Sequence, residues 1–461
     1  MFNSAKSYIV DAKNDFFARV QSSKFALFCA DSLIFKNIDN ITLVLLILTL
    51  IATAFCTSGV IGLFAILTSL SVAFKLLVKK GERLVASKLD FAITLFLTVA
   101  ILSLFGSSLF LLSLKGFVKI LIYIVFYFCA FHFLYSNRKA IPLILAVIAS
   151  LVTFESVIGI LQNHSSILPI STWQDTSNLD VHEVMSRCYG TLKPYNPNLL
   201  AGYILAGISS VFYLGAINFL NNNKKRTALF FAALLLSFLA LIYSGSRGGY
   251  LGLFAFIAAM MTVICLYVKN TIGFENIKKR YKNILIGISA AVLLFIVSTP
   301  AIYKRILSIF AFREDSSISF RLNVYEASFR MFLDNFFIGI GLGNQNFREI
   351  YGLYMKTTFD ALGAYSVPLE IAVEMGIFGL LAFAYFICLS FKYCIEILKS
   401  SESNKYKALA ASIFLMLTAT MVHGLWDTVW YRPQVQIIFW LNIAILNTLI
   451  LKPKLTPVKE L

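Results

Sequence analysis

The sequence predicts an all-α, polytopic membrane protein of about twelve transmembrane helices with two long extracytoplasmic loops. Three observations predict it. Hydrophobic residues make up 59% of the chain and charged residues only 14%, with a mean hydropathy of +0.80, whereas soluble domains are near a quarter charged. Apolar runs of roughly twenty residues recur, each long enough to cross the hydrocarbon core as a helix. Lipid leaves no partner for unpaired backbone, so such runs mean helices; the alternating ten-residue segments of a β-barrel are absent.

The spans read 41–57, 59–78, 91–112, 117–135, 141–162, 197–220, 228–244, 250–268, 283–299, 367–390, 407–423 and 434–451. Lysine and arginine give them a direction. Lys75, Lys79, Lys80 and Arg83, the Lys224-Lys225-Arg226 triplet, Lys278-Lys279-Arg280 and Lys452 with Lys454 all fall on one side of this threading. The positive-inside rule makes that side cytosolic, with both termini there. Residues 1–40 read as a cytosolic or interfacial segment. Residues 41–451 form one transmembrane domain with outer loops 163–196 and 300–366, and 452–461 form a cytosolic tail. The net charge of +17 is then a topology signal, and a nucleic-acid partner is not expected. The seven cysteines lack metal or disulfide spacing and read as small buried hydrophobes. No metal or cofactor is expected.

Loops as long as 163–196 and 300–366 are usually functional or disordered, and these hold too many aromatics for disordered linkers. The stretch 318–337 fits an amphipathic helix along the membrane surface.

Candidate chemistry gathers on the outer side in five places. Ser246-Arg247-Gly248-Gly249 sits at a junction between spans. Arg247 reads either as a phosphate clamp, since its planar fork grips such anions bidentately, or as a snorkelling arginine at a helix end; Gly248 reads as a helix stop. Arg321 reads as a second clamp or as a surface ion pair. The run Gly339-Ile340-Gly341-Leu342-Gly343 after it reads as a tight turn packing an outer helix onto the bundle. Glu370 and Glu374 share a helix face at spacing i, i+4, suited to a general base or proton carrier or simply to capping a helix start and pairing with outer arginines. Gly376 and Gly379 read as helix-packing positions. His423, Trp426, Asp427 and Arg432 crowd one short turn. They read as an acid/base site with sugar-stacking aromatics, or as a hydrogen-bonded turn with an interfacial belt. Arg187 precedes Asn196-Pro197-Asn198, where Pro197 suits a first helical turn and Asn198 can cap it.

The order Asn196-Pro197-Asn198, Ser246-Arg247-Gly248, Arg321-Leu322 and the glycine run before Phe347 resembles the O-antigen ligase and polymerase superfamily of the bacterial envelope. That family carries a His-Asn-type pair, nine residues, then Gly-x-x-Gly. Here Tyr365-Ser366 stands at the pair and Gly376-Ile377-Phe378-Gly379 follows at the matching spacing. Ala364 to Glu370 and Asp427 to Gln434 are similar to the branch labelled inorganic-carbon (bicarbonate) transporter. The resemblance implies an inner-membrane, metal-independent glycosyltransferase of lipopolysaccharide or other envelope polysaccharide biosynthesis. Its partners would be membrane lipids, an undecaprenyl-diphosphate glycan and an acceptor lipid or glycan; the alternative is a bicarbonate transporter or transport-associated protein. It implies anion binding by Arg247, Arg321, Arg187 and Arg432. Catalysis would fall to Glu370, Glu374, His423 and Tyr365, and substrate orientation to Asn198, Ser246, Asp427 and Trp426. Oligomeric state is not readable.

Overall fold

Each apolar run becomes a helix that stops where a polar or glycine-bearing turn frees its last carbonyls. The computed structural model describes residues 15–16, 18–164, 187–271, 317–356 and 359–451, and among these there is no strand. Two short helices open the described chain, α1 (Lys24–Ala30) and α2 (Leu33–Lys36). Ser23 and Ser32 cap them by accepting from the amides of Ala26 and Phe35. They expose Phe25, Phe28, Leu33 and Ile34 beside Lys24 and Lys36, an interfacial pattern.

The spanning helices follow: α3 (Ile38–Phe55), α4 (Ser58–Val78), α5 (Lys88–Phe105), α6 (Phe110–Ser136), α7 (Ile141–His164), α8 (Pro197–Leu220), α9 (Lys224–Tyr243) and α10 (Arg247–Thr271). Helices α11 (Ser317–Asp334) and α12 (Asn344–Tyr351) occupy the predicted second long loop; then come α13 (Val367–Lys399), α14 (Asn404–Gly424) and α15 (Pro433–Ile450). Among the described residues eleven helices are long and apolar enough to cross a membrane; they match the predicted spans except 283–299, which lies outside the described residues.

Hydropathy sorts these helices by neighbour. Those most exposed to lipid, α9 and α10, have mean hydropathies of 2.0 and 2.2, whereas α15 reaches only 1.4 and lies 94% inside the bundle. Gln434, Gln436, Asn442, Asn447 and Thr448 of α15 are all buried. Such residues are tolerable because they face protein, where they find partners that hydrocarbon lacks. At the end of the bundle where α5 begins, Tyr127 Oη donates to Asp90 Oδ1 at 2.7 Å and Asn447 Nδ2 reaches the same oxygen at 2.8 Å. That carboxylate also closes the capping box of α5 with Ser87.

Gly376 is a correction to the expected packing glycine. Its φ of 66° and ψ of −168° break α13 nine residues after its start. The break frees the carbonyls of Val373 and Glu374, which accept from the amides of Ile340 and Gly341 at 2.9 and 3.0 Å. Ile377 N donates in turn to the Phe336 carbonyl at 2.7 Å. The glycine run can lie this close because Gly339, Gly341 and Gly343 all take positive φ, which side chains resist. The run is thus the tight turn expected of it, and it satisfies a helix interrupted at membrane level.

Candidate functional site

Helices α8, α9, α10, α13, α14 and α15 bring their polar termini together at one end of the bundle, and the site is built from those termini. Helix α8 is capped by Asn196, whose Oδ1 accepts from Asn198 N at 2.8 Å, with Pro197 in the first turn. The cap therefore falls two residues before the expected Asn198, whose side-chain amide is left for other work. Arg187 Nη2 donates to Asn198 Oδ1 at 2.7 Å, and Asn198 Nδ2 donates to Asp427 Oδ2 at 2.8 Å. Arg321 Nη2 from α11 approaches the same Oδ2 at 3.3 Å, and Asp427 Oδ1 accepts from Val429 N at 3.2 Å. One carboxylate thus joins α8 and α11 to its own turn, with Arg187 one step behind it on Asn198. Tyr365 adds its ring, with the Arg321 guanidinium 5.7 Å from its centroid. The Tyr365 carbonyl accepts from Tyr325 Oη at 3.2 Å.

Three glycines make room for His423. A Cβ on Gly248 would meet its Cδ2 at 3.0 Å, one on Gly202 its Cε1 at 3.3 Å and one on Gly252 its Cβ at 3.3 Å. Gly248 is therefore no helix stop. The turn between α9 and α10 uses Gly245, with φ +61°, and Gly248 lies one residue into α10 so that the imidazole can pack there. His423 is 2% exposed, and its Nε2 has no hydrogen-bond partner among the described residues. Burying a polar atom without a partner is unfavourable, so this one is a group to explain. Ser246 is buried and accepts from Gly249 N at 3.2 Å, opening α10 directly before Arg247, which is half-buried.

The two glutamates of α13 are buried and, among the described residues, form no ion pair with an arginine. Glu370 Oε2 accepts from Ala364 N at 3.0 Å, and Glu374 Oε1 accepts from Gly343 N at 2.7 Å. Glu370 therefore holds the loop that presents Tyr365, and Glu374 holds the glycine run. Trp426 and Arg432 are exposed. Outside the membrane-spanning segments, burial and then the Asp427 charge push the Tyr365 phenol above its ordinary range, with Arg321 opposing. Burial first, then Glu374 and Glu370, hold Tyr431 well above its range. Both phenols are hydrogen-bond donors at neutral pH and not bases.

The structure thus brings Arg187, Asn198, Arg321, Asp427 and Tyr365 into one connected cluster. Glu370 and Glu374 lie beside it as supports for its loops. One contributor escaped the sequence reading. Glu155, buried within α7, accepts from Thr191 N at 2.8 Å and from Thr191 Oγ1, so it pins the segment that carries Arg187 and Asn196. The signal was an acid in an otherwise apolar span, which by itself marks a functional position.

Residues 232–384 match the protein family described as O-Antigen ligase, which supports the O-antigen ligase superfamily for this stretch. It covers well under half of the chain but takes in Arg247, Arg321, Tyr365, Glu370, Glu374 and the glycine run; His423 and Asp427 lie beyond it. None of the curated proteins matches the chain.

Proposed function

We propose that this protein is an O-antigen ligase-like membrane glycosyltransferase that moves a glycan from an undecaprenyl-diphosphate carrier to an acceptor at the outer face of the inner membrane. The observation that carries the reading is the single cluster in which Arg187, Asn198, Asp427, Arg321 and Tyr365 meet, part of it inside the matched stretch. The arrangement of lysines and arginines orients this end outward, away from cytosolic nucleotide sugars, so a lipid-linked donor is the fitting one.

In this reading Arg247 and Arg321 hold the diphosphate. The acceptor hydroxyl oxygen attacks the anomeric carbon, and the bond from that carbon to the phosphate oxygen breaks. The diphosphate leaves with the electron pair, its charge stabilised by the guanidinium groups. The acceptor proton passes to His423, the candidate base whose ring nitrogen is unpartnered. Arg187 and Asn198 position Asp427, which keeps Arg321 aimed while the site is empty. Arg432 and Trp426, both exposed, meet the sugar and its charge.

Transfer of a lipid-linked glycan by the purified protein in proteoliposomes tests the reading. Arg321→Ala and Arg247→Ala should each lose about 10²–10³ in rate, the size of a lost charge-stabilising donor; full activity in both removes the clamp. One observation favours a second reading, inorganic-carbon transport: α13 is interrupted at Gly376 beside buried Glu370 and Glu374, and broken helices line many transport sites. Labelled bicarbonate uptake by the same proteoliposomes, without glycan transfer, would select it.

A further inference from the structure

Helix α11 lies outside the spanning helices, yet it divides into three faces. Val324, Ala327, Ser328, Met331 and Phe332 are buried, packed toward α12 and α13. A second face is ionic and exposed: Arg330 pairs with Glu326 at 2.5 Å, and Lys356 reaches Glu326 at 2.9 Å. A third face carries Leu322, Phe329 and Leu333, all exposed. Their spacings of seven and four place them on one stripe of the helix, and the exposed Phe336 follows in the turn just past its end. A soluble surface rarely leaves such a stripe uncovered.

Aromatic contacts link the stripe, through the buried Phe332, to a surface on the spanning helices. Ring centroids step from Phe329 to Phe332 at 6.2 Å, to Phe336 at 5.2 Å, to Phe337 at 5.3 Å and to Phe378 at 6.1 Å. Phe378 stands on the exposed side of α13, two residues past the break at Gly376. From there a groove of about 280 Å³ descends between α5 and α13, lined by Leu95, Val99, Leu102, Ile338, Phe378 and Leu381 among others. Leu95, Leu102, Ile338, Phe378 and Leu381 are exposed, and α5 and α13 are both spanning helices.

We propose that α11 is seated in the boundary between head groups and acyl chains of the adjoining leaflet, with phospholipid chains covering its apolar stripe and filling the groove below. Continuity with the lipid-facing sides of α5 and α13 names the occupant, and the ionic face of Glu326 and Arg330 that flanks the stripe supports it. An interfacial helix combines an apolar side sunk into that boundary with a charged side in water. Arg321 sits on the remaining flank, half-buried, with its guanidinium toward Asp427 and Tyr365. The seating therefore holds that cation near the depth of the lipid phosphates. A diphosphate attached to a membrane-bound chain would meet it without leaving the leaflet. The seating itself does not rest on glycan transfer.

Fluorine NMR on the full-length protein in phospholipid nanodiscs tests it. Trifluoromethyl-phenylalanine would replace Phe329 on the stripe and, in a separate sample, Tyr354, which bonds to Asp334 on the polar side. The expected result is that a nitroxide carried on the lipid chain just below the glycerol broadens the Phe329 probe several-fold more than a water-soluble nickel chelate does. The Tyr354 probe should show the reverse order. Stronger broadening of the Phe329 probe by nickel means a stripe bathed in water and overturns the proposal. Protection of that probe from both reagents means that a second copy or another protein covers it, and overturns it equally. Both probes report position alone, so failure of the glycan-transfer reading would leave this result unchanged.

Discussion

Replacing Asp427 by asparagine removes one negative charge and almost no volume from the centre of the cluster. The carboxylate lies 3.3 Å from Arg321 Nη2, with side-chain exposures of 7% and 20%. At an effective dielectric constant near 20 the attraction at that distance is about 5 kcal/mol, most of it offset by withdrawing both groups from water. Asparagine has one acceptor oxygen where the carboxylate has two, so with that oxygen kept on Val429 N its amide nitrogen faces Asn198 Nδ2 and Arg321 Nη2, and both of those bonds are lost. The charge-assisted bond to Arg321 alone is about 1.5–3 kcal/mol. The same oxygen serves Asn198 and Arg321, so those two residues must be energetically coupled through it. In nanodisc-embedded protein, chemical unfolding of Asn198→Ala, Arg321→Ala and the double variant should give a coupling of about 1 kcal/mol or more. The coupling should shrink in the Asp427→Asn background. Additivity within about 0.3–0.5 kcal/mol in the native background would refute the shared carboxylate, and with it the unity of the cluster.

Other outcomes follow from the same geometry. Gly376→Ala forces a side chain into positive φ against the backbone of Phe337 and should destabilise by more than about 3 kcal/mol, read as lost yield of folded protein. Tyr365→Phe keeps the ring beside Arg321 and should reduce anion affinity less than about threefold, whereas Tyr365→Ala loses the cation–π contact, about 1–2 kcal/mol or about fivefold to thirtyfold. Because the Tyr365 pKa is raised, its neutral form is the favoured one. Its contribution is complete below the ordinary phenol range and fades only as pH rises through and above it, so a pH–binding profile should show no tyrosine limb between pH 6 and 9, about a unit or more below the ordinary phenol value. The Cys188 thiol, pushed up to about 12 by burial, should resist maleimide at neutral pH in the folded protein and react after denaturation.

Most of the helical architecture was legible because lipid imposes a simple rule, that backbone must pair within each span, and long apolar runs obey it. What could not be read were side-chain roles set by tertiary partners. Asn198 and Asn196 are equally good caps on paper; only the approach of Arg187 and Asp427 decides that Asn196 caps and Asn198 bridges. Gly376 looks like any small residue in a membrane helix, and its break becomes necessary only because the run 339–343 arrives to pair with it. Glu370 and Glu374 do share a buried face, but each accepts a backbone amide from a loop distant in sequence, which spacing within one helix cannot disclose. The joining of Arg321 to the turn at 427 was suggested only by their common side of the membrane; its cause is a contact across 106 residues.

The most direct measurement is equilibrium binding of a polyprenyl diphosphate to the full-length protein in nanodiscs, followed by the phosphorus resonances of the ligand. The account predicts saturable binding, with both resonances shifted. Arg321→Ala should weaken it by about tenfold to a hundredfold, as expected for a lost charge-assisted bond, and the corresponding polyprenyl alcohol should not compete. Equal affinity in wild type and Arg321→Ala, or equal competition by the alcohol, would contradict a cluster built around the anion.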